Sequence, residues 1–85
     1  MDAGLALKEF LEFVVGGLVR HPEAASVTHE LQGKKHVYQV RLSRDDMGRM
    51  IGRNGYTVSA IRSLLDAAAA KHNLRVTLRL DENEV

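Results

Sequence analysis

The sequence predicts an α+β sandwich in the order helix, strand, strand, short helix, long helix, strand. Three helices lie on one face of a three-stranded mixed sheet. Three observations lead there. Apolar residues recur with helical period near the N-terminus and again after residue 56. They alternate with period two in residues 26–32, 36–42 and 74–80. A helical crossover separates the second strand from the last, which lets those two lie side by side and parallel. With 85 residues, 45% hydrophobic and 27% charged, the chain has the size and balance of one soluble domain with one core. Its expected extent is residues 1–80, followed by a flexible acidic tail at 81–85, "DENEV".

The first element, residues 3–20, places Leu7, Leu11, Val14 and Leu18 on one helical face with Phe10 beside them. His21-Pro22 ends it, because the residue before proline is pushed out of helical dihedrals. Lys8, Glu9 and Glu12 interrupt its apolar run, so it reads as a cytosolic helix rather than a leader or a membrane span. Val27, His29 and Leu31 share one strand face, as do Tyr38, Val40 and Leu42, and Gly33-Lys34-Lys35 turns between them as a hairpin. Ser43 is positioned to cap a helix over 44–51, with Asp46 in its first turn, where the helix dipole favours a carboxylate. The long helix, Tyr56 to Lys71, carries a stripe of Val58, Ile61, Leu64, Leu65 and Ala68, and exits at His72-Asn73. The last strand turns Val76, Leu78 and Leu80 inward.

A net charge of +1 conceals a strong asymmetry. Residues 1–30 carry −3, residues 31–80 carry +7 and residues 81–85 carry −3. A basic middle between acidic ends suits one positive face for a polyanion. There are no cysteines, which removes disulfides, thiolate nucleophiles and cysteine-bound zinc, and fits a reducing compartment. His21, His29, His36 and His72 are scattered at no ligand spacing. Ser59 and Ser63 have no His-Asp arrangement near them, so neither catalysis nor a cofactor is expected.

"MIGRNGYTV", residues 50–58, carries two glycines three apart in an otherwise helical pattern. Each costs about 1 kcal/mol against alanine inside a helix. Gly52-Arg53-Asn54-Gly55 falls where the short helix stops and the long one starts. Gly52 is suited to end the first helix in the left-handed region, and Gly55 to open the second, where amides lack partners and the dipole is positive. Such a corner accepts an anion, and Arg53 adds a cation at its tip.

An aliphatic residue, G-x-x-G and an aliphatic-rich helix, lying between strands in a basic segment, resemble the KH domain family of single-stranded RNA and DNA binders. The matching residues are Ile51, Gly52, Arg53, Asn54, Gly55, Val58 and Ile61. The element order resembles the type II bacterial arrangement over residues 3–80. "DMGRMIGRNG" followed by "AIRSLLDAAAAK" looks more narrowly like the KhpA family of small stand-alone KH proteins. The resemblance implies that the G-x-x-G loop clamps the backbone of about four nucleotides, with their bases in a groove between helices and sheet. The implied clamp is Gly52, Arg53, Asn54 and Gly55. The groove residues expected beside it are Met47, Ile51, Val58 and Arg62, with Arg75 and Thr77 on the last strand. Ile61 fits the core better. Only four residues are aromatic, Phe10, Phe13, Tyr38 and Tyr56, so phosphate contacts and apolar walls, rather than stacked bases, should carry binding.

The resemblance also implies a cytoplasmic protein that self-associates as a homodimer or pairs with a larger KhpB-like protein. In such partners a related KH unit is joined to other RNA-binding domains. RNA chaperoning, cell elongation and cell-wall homeostasis are the associated roles. The rival reading is a KH-fold interaction module with little or no RNA binding, in which Met47, Met50 and Tyr56 face another chain.

Overall fold

The computed structural model describes residues 2–83, and its element order is the expected one. Helix α1 spans Ala3–Leu18. Strands β1, Ser26–Gln32, and β2, Lys35–Leu42, form an antiparallel hairpin. Helices α2, Arg44–Ile51, and α3, Tyr56–Lys71, follow, and strand β3, Arg75–Glu82, returns parallel to β2. The sheet order is β1-β2-β3.

Register explains why the helices share one face. Val27 pairs with Val40, and Tyr38 with both His29 and Leu78, so alternate residues of three strands line up on one side. Leu7, Leu11 and Val15 of α1, Met50 of α2, and Val58, Ile61, Leu65 and Ala69 of α3 join those strand residues in one buried cluster. Burying apolar surface of this kind is the main favourable term in folding.

Helix α1 starts where the Asp2 carboxylate accepts the Gly4 amide at 2.9 Å, a cap worth about 1 kcal/mol. The helix stops at Leu18, two residues short of the expected end, because Val19 is already extended. Its buried stripe holds Val15 where the pattern suggested Val14, which is only half-buried. At its N-terminal end the Tyr38 hydroxyl donates to the Gly4 carbonyl at 2.7 Å. His29 stacks on both Tyr38 and His36, and His29 Nε2 lies 2.8 Å from His36 Nδ1.

Helix α2 corrects the expected role of Ser43 and adds to that of Asp46, which stands in the first turn as expected. The Ser43 hydroxyl caps no amide and instead donates to Asp46 Oδ2 at 3.2 Å. The buried Asp46 carboxylate accepts the amides of Arg20 and His21, both at 3.0 Å, where the chain leaves α1. Those contacts hold its carboxyl below the usual carboxylate range, the Arg20 amide contributing most, against the opposing effect of burial.

Helix α3 has the expected ends, but its buried face is Val58, Ile61, Leu65 and Ala69. Leu64 points outward at 57% exposure. The helix closes with Asn73 left-handed, the Leu74 amide on Ala69 O and the Asn73 amide on Ala70 O, which is the Schellman arrangement. Strand β3 runs two residues past the expected boundary at residue 80. Glu82 pairs with Arg44 at 3.3 Å. Asn83 donates its amide to Leu42 O at 2.6 Å and its side-chain nitrogen to Ala24 O at 2.9 Å. Residues 84 and 85 of the expected tail lie outside the described residues.

Candidate nucleic-acid interface

The Gly48 carbonyl accepts the Gly52 amide at 2.9 Å, which ends α2. Gly52 then takes φ 76°, ψ 173°. Its φ is positive, as expected, but its ψ places it in a region open essentially to glycine alone rather than in the left-handed helical one. One tight turn follows over Arg53–Gly55, closed by the Gly55 amide on Gly52 O at 3.1 Å. Asn54 (φ 56°, ψ 24°) and Gly55 (φ 76°, ψ 12°) are both left-handed, a conformation asparagine tolerates better than most residues.

The two glycines therefore have different reasons. A β-carbon on Gly52 would meet the protein's own Thr57, 2.7 Å from its Cβ and 2.9 Å from its amide nitrogen. A β-carbon on Gly55 would meet nothing within 4 Å. The space beside Gly52 is thus filled from within, and the Gly55 side of the elbow is open.

The free amides also differ from expectation. Those of Gly55 and Tyr56 are bonded inside the turn, to Gly52 O and Arg53 O. Among the described residues the amides of Arg53 and Asn54 have no backbone partner. No side chain caps α3. Arg53 is exposed and in no ion pair among the described residues, whereas Arg44 pairs with Glu82 and Arg49 lies 3.7 Å from Asp46. The tip thus combines two unengaged N–H donors with a free cation, a set that matches a phosphate.

Beside the tip, Ile51 is 39% exposed, Met47 is half-buried against the core and Val58 is buried. Met50 is fully buried among core side chains, so it has no surface with which to face another chain. Tyr56 is 71% exposed. Further along α3, Arg62 donates to Leu78 O at 3.4 Å and shares a groove of about 210 Å³ with Leu65, Asp66, Val76, Thr77 and Leu78. Leu65 and Asp66 stand three and four residues after Arg62, a helical spacing that could have placed them on its face beforehand. Thr57 left no such signal. Arg75 lies elsewhere: Val76, Leu78 and Leu80 pack on the core beneath the helices, so Arg75, which pairs with Lys35, stands on the opposite face of the sheet, and Thr77 reaches the groove only because β3 is the edge strand.

A sequence model of the KhpA/KhpB KH domain matches residues 8–80. The chain belongs to this KH domain family. It is 37% identical over 79 residues to RNA-binding protein KhpA of Chlamydia pneumoniae, covering 92% of this chain and all of the relative. It is 34% identical over 76 residues to RNA-binding protein KhpA of Listeria monocytogenes, covering 89% of this chain and all of that one. The protein of the same name from Clostridium perfringens is 34% identical over 74 residues, covering 87% and 99% of the two chains. The helix-strand order and mixed sheet are those of a type II KH domain. Among the described residues of this KH domain, no three His, Cys, Asp or Glu side chains converge as metal ligands, and no helix is long and apolar enough to cross a membrane.

Proposed function

We propose that this chain binds single-stranded RNA, and single-stranded DNA by the same backbone contacts, by clamping the sugar-phosphate chain on the Gly52-Arg53-Asn54-Gly55 loop. The observation that carries the reading is the loop tip, where the free amides of Arg53 and Asn54 and the unpaired Arg53 side chain adjoin the open space at Gly55. Ile51 and Arg62 line the path beyond the clamp, with Met47 and Val58 as the apolar wall beneath. Relatives named as RNA-binding proteins support it. Work as a cytoplasmic RNA chaperone or post-transcriptional regulator, with a KhpB-like partner in cell elongation and cell-wall homeostasis, rests on family likeness alone.

The test replaces Arg53 and Asn54 with aspartate and measures retention of a uridine oligonucleotide together with oligomer mass. Loss of RNA retention at unchanged mass supports the clamp, and unchanged retention refutes it.

A second reading, pairing with another KH chain, draws on a specific feature. Tyr56 and Leu64 stand eight residues apart on the outer side of α3, at 71% and 57% exposure, with Ala60 between them. An exposed apolar stripe of this kind suits a protein partner, as a homodimer or a heteromer. Leu64→Asp separates the readings: it should disrupt association and leave RNA retention by a monomer intact.

A further inference from the structure

The sheet face away from the helices carries cations that the clamp does not use. Lys35 stands opposite Arg75, Gln39 opposite Arg79, and Val37 between Glu30 and Thr77. No helix covers this face, yet Val37 is only 4% exposed. Around it on the same face stand Glu30, Lys35, Gln39, Arg75, Thr77 and Arg79. Long side chains of this kind cover an aliphatic neighbour with their apolar stems and keep their charged heads in water, and Lys35, Arg75 and Arg79 are exposed. None of these three cations is in an ion pair among the described residues. The acids of the face, Glu30 and Asp81, accept the neutral amides of Gln32 and Gln39 and keep their charge, but with Arg41 beside Asp81 four cations face two anions among the described residues.

β3 is an edge strand, and Thr77 on it also lines the groove next to Arg62. Arg75 and Arg79 flank Thr77 two residues to either side, about 13 Å apart along the strand. A strand leaving the groove over this edge meets both.

We propose that the helix-free face of the sheet, through Lys35, Arg75 and Arg79, is a second contact surface for the phosphates of single-stranded nucleic acid, continuing the path of the strand held at the loop. The inference rests on the clamp reading above. Among the described residues the face has no aromatic side chain and hides its one aliphatic residue, so it contacts backbone rather than bases and adds affinity without sequence preference. With no exposed apolar anchor, it lacks the centre that a protein partner would require.

The test compares uridine oligonucleotides of 4 and 16 residues on the full chain. The variants are Lys35→Glu/Arg75→Glu/Arg79→Glu and, in case charge reversal impairs folding, the milder Lys35→Gln/Arg75→Gln/Arg79→Gln. Either folded variant should bind the 16-mer at least tenfold more weakly, with the slope of log K against log salt reduced by about 2 for three lost contacts. Binding of the 4-mer should be unchanged. An unaltered 16-mer affinity and slope overturn the proposal even where Arg53→Asp/Asn54→Asp abolishes binding at both lengths. Failure of the clamp is distinct: the loop variant then retains both lengths. Binding of poly-glutamate by the native chain as tightly as the 16-mer overturns the assignment to nucleic acid.

Discussion

Thr57 occupies the space that a β-carbon on Gly52 would need, so the first turn of α3 packs this closely on the loop only with glycine at position 52. Gly52 is constrained twice, by that contact and by a dihedral pair that other residues adopt at a cost of about 1–3 kcal/mol. Gly55 is constrained only by its left-handed conformation, at about 1–2 kcal/mol. Gly52→Ala should therefore destabilise the fold more than Gly55→Ala, by about 1 kcal/mol or more, in denaturant unfolding. RNA binding should follow the same order, because Gly52→Ala displaces the Arg53 and Asn54 amides. Equal losses for the two variants would mean that the Thr57 contact contributes nothing.

Stability should fall as the medium is acidified through the histidine range. His29 and His36 share one hydrogen bond at 2.8 Å, which needs one ring nitrogen as donor and the other as acceptor. Burial and then the neighbouring His36 hold the His29 pKa below its ordinary 6.5, with Asp2 acting against them and Lys8 with them. A lowered histidine pKa means that the unfolded chain binds the proton first. Its contribution is complete above pH 6.5 and is lost progressively as pH drops towards the folded value. The Tm should decline between pH 7 and 5. His29→Phe, which keeps a ring on Tyr38 but cannot be charged, should flatten that slope.

Much of this was legible in the sequence because most elements announce themselves locally. The period-two runs gave the strand faces, and Tyr56 to Lys71 was found with both ends correct. What the local pattern does not encode depends on contacts distant in sequence. Leu64 and Leu65 are adjacent, and periodicity does not decide which of them faces the sheet until α3 is docked against β3. That β3 continues past residue 80 is hidden for the same reason, since Asn83 is held by Leu42 and Ala24, 41 and 59 residues away. At the candidate site the glycines were conspicuous, but the pattern could not reveal that Thr57 fills one side of the elbow. Position in the chain alone suggests Arg75 for the groove, whereas strand parity turns it to the other face.

Asp46 is the clearest case of a residue whose role depends on such a distant contact, and it gives the last prediction. Its two carboxylate oxygens accept the amides of Arg20 and His21, with Ser43 as a third donor, so the exit of α1 is tied to the first turn of α2. Asp46→Asn keeps the shape but turns an NH2 group towards one of those donors, leaving a part-buried amide unsatisfied. Thermal melts at pH 7 should show a fall of about 4–8 °C or more. The pH dependence has a definite sign. With the folded pKa below the ordinary 3.8, the carboxylate's contribution is complete above that value and is lost as pH falls towards the folded one. The gap between native and Asp46→Asn melts should therefore stay constant from pH 7 to about 4 and narrow below it. Because Asp46 lies on the helix that ends at Gly52, the variant should also loosen the loop, weakening RNA binding less than Arg53→Asp/Asn54→Asp does. A gap that persists unchanged into strong acid would show that the charge of Asp46 does not hold α1 to α2.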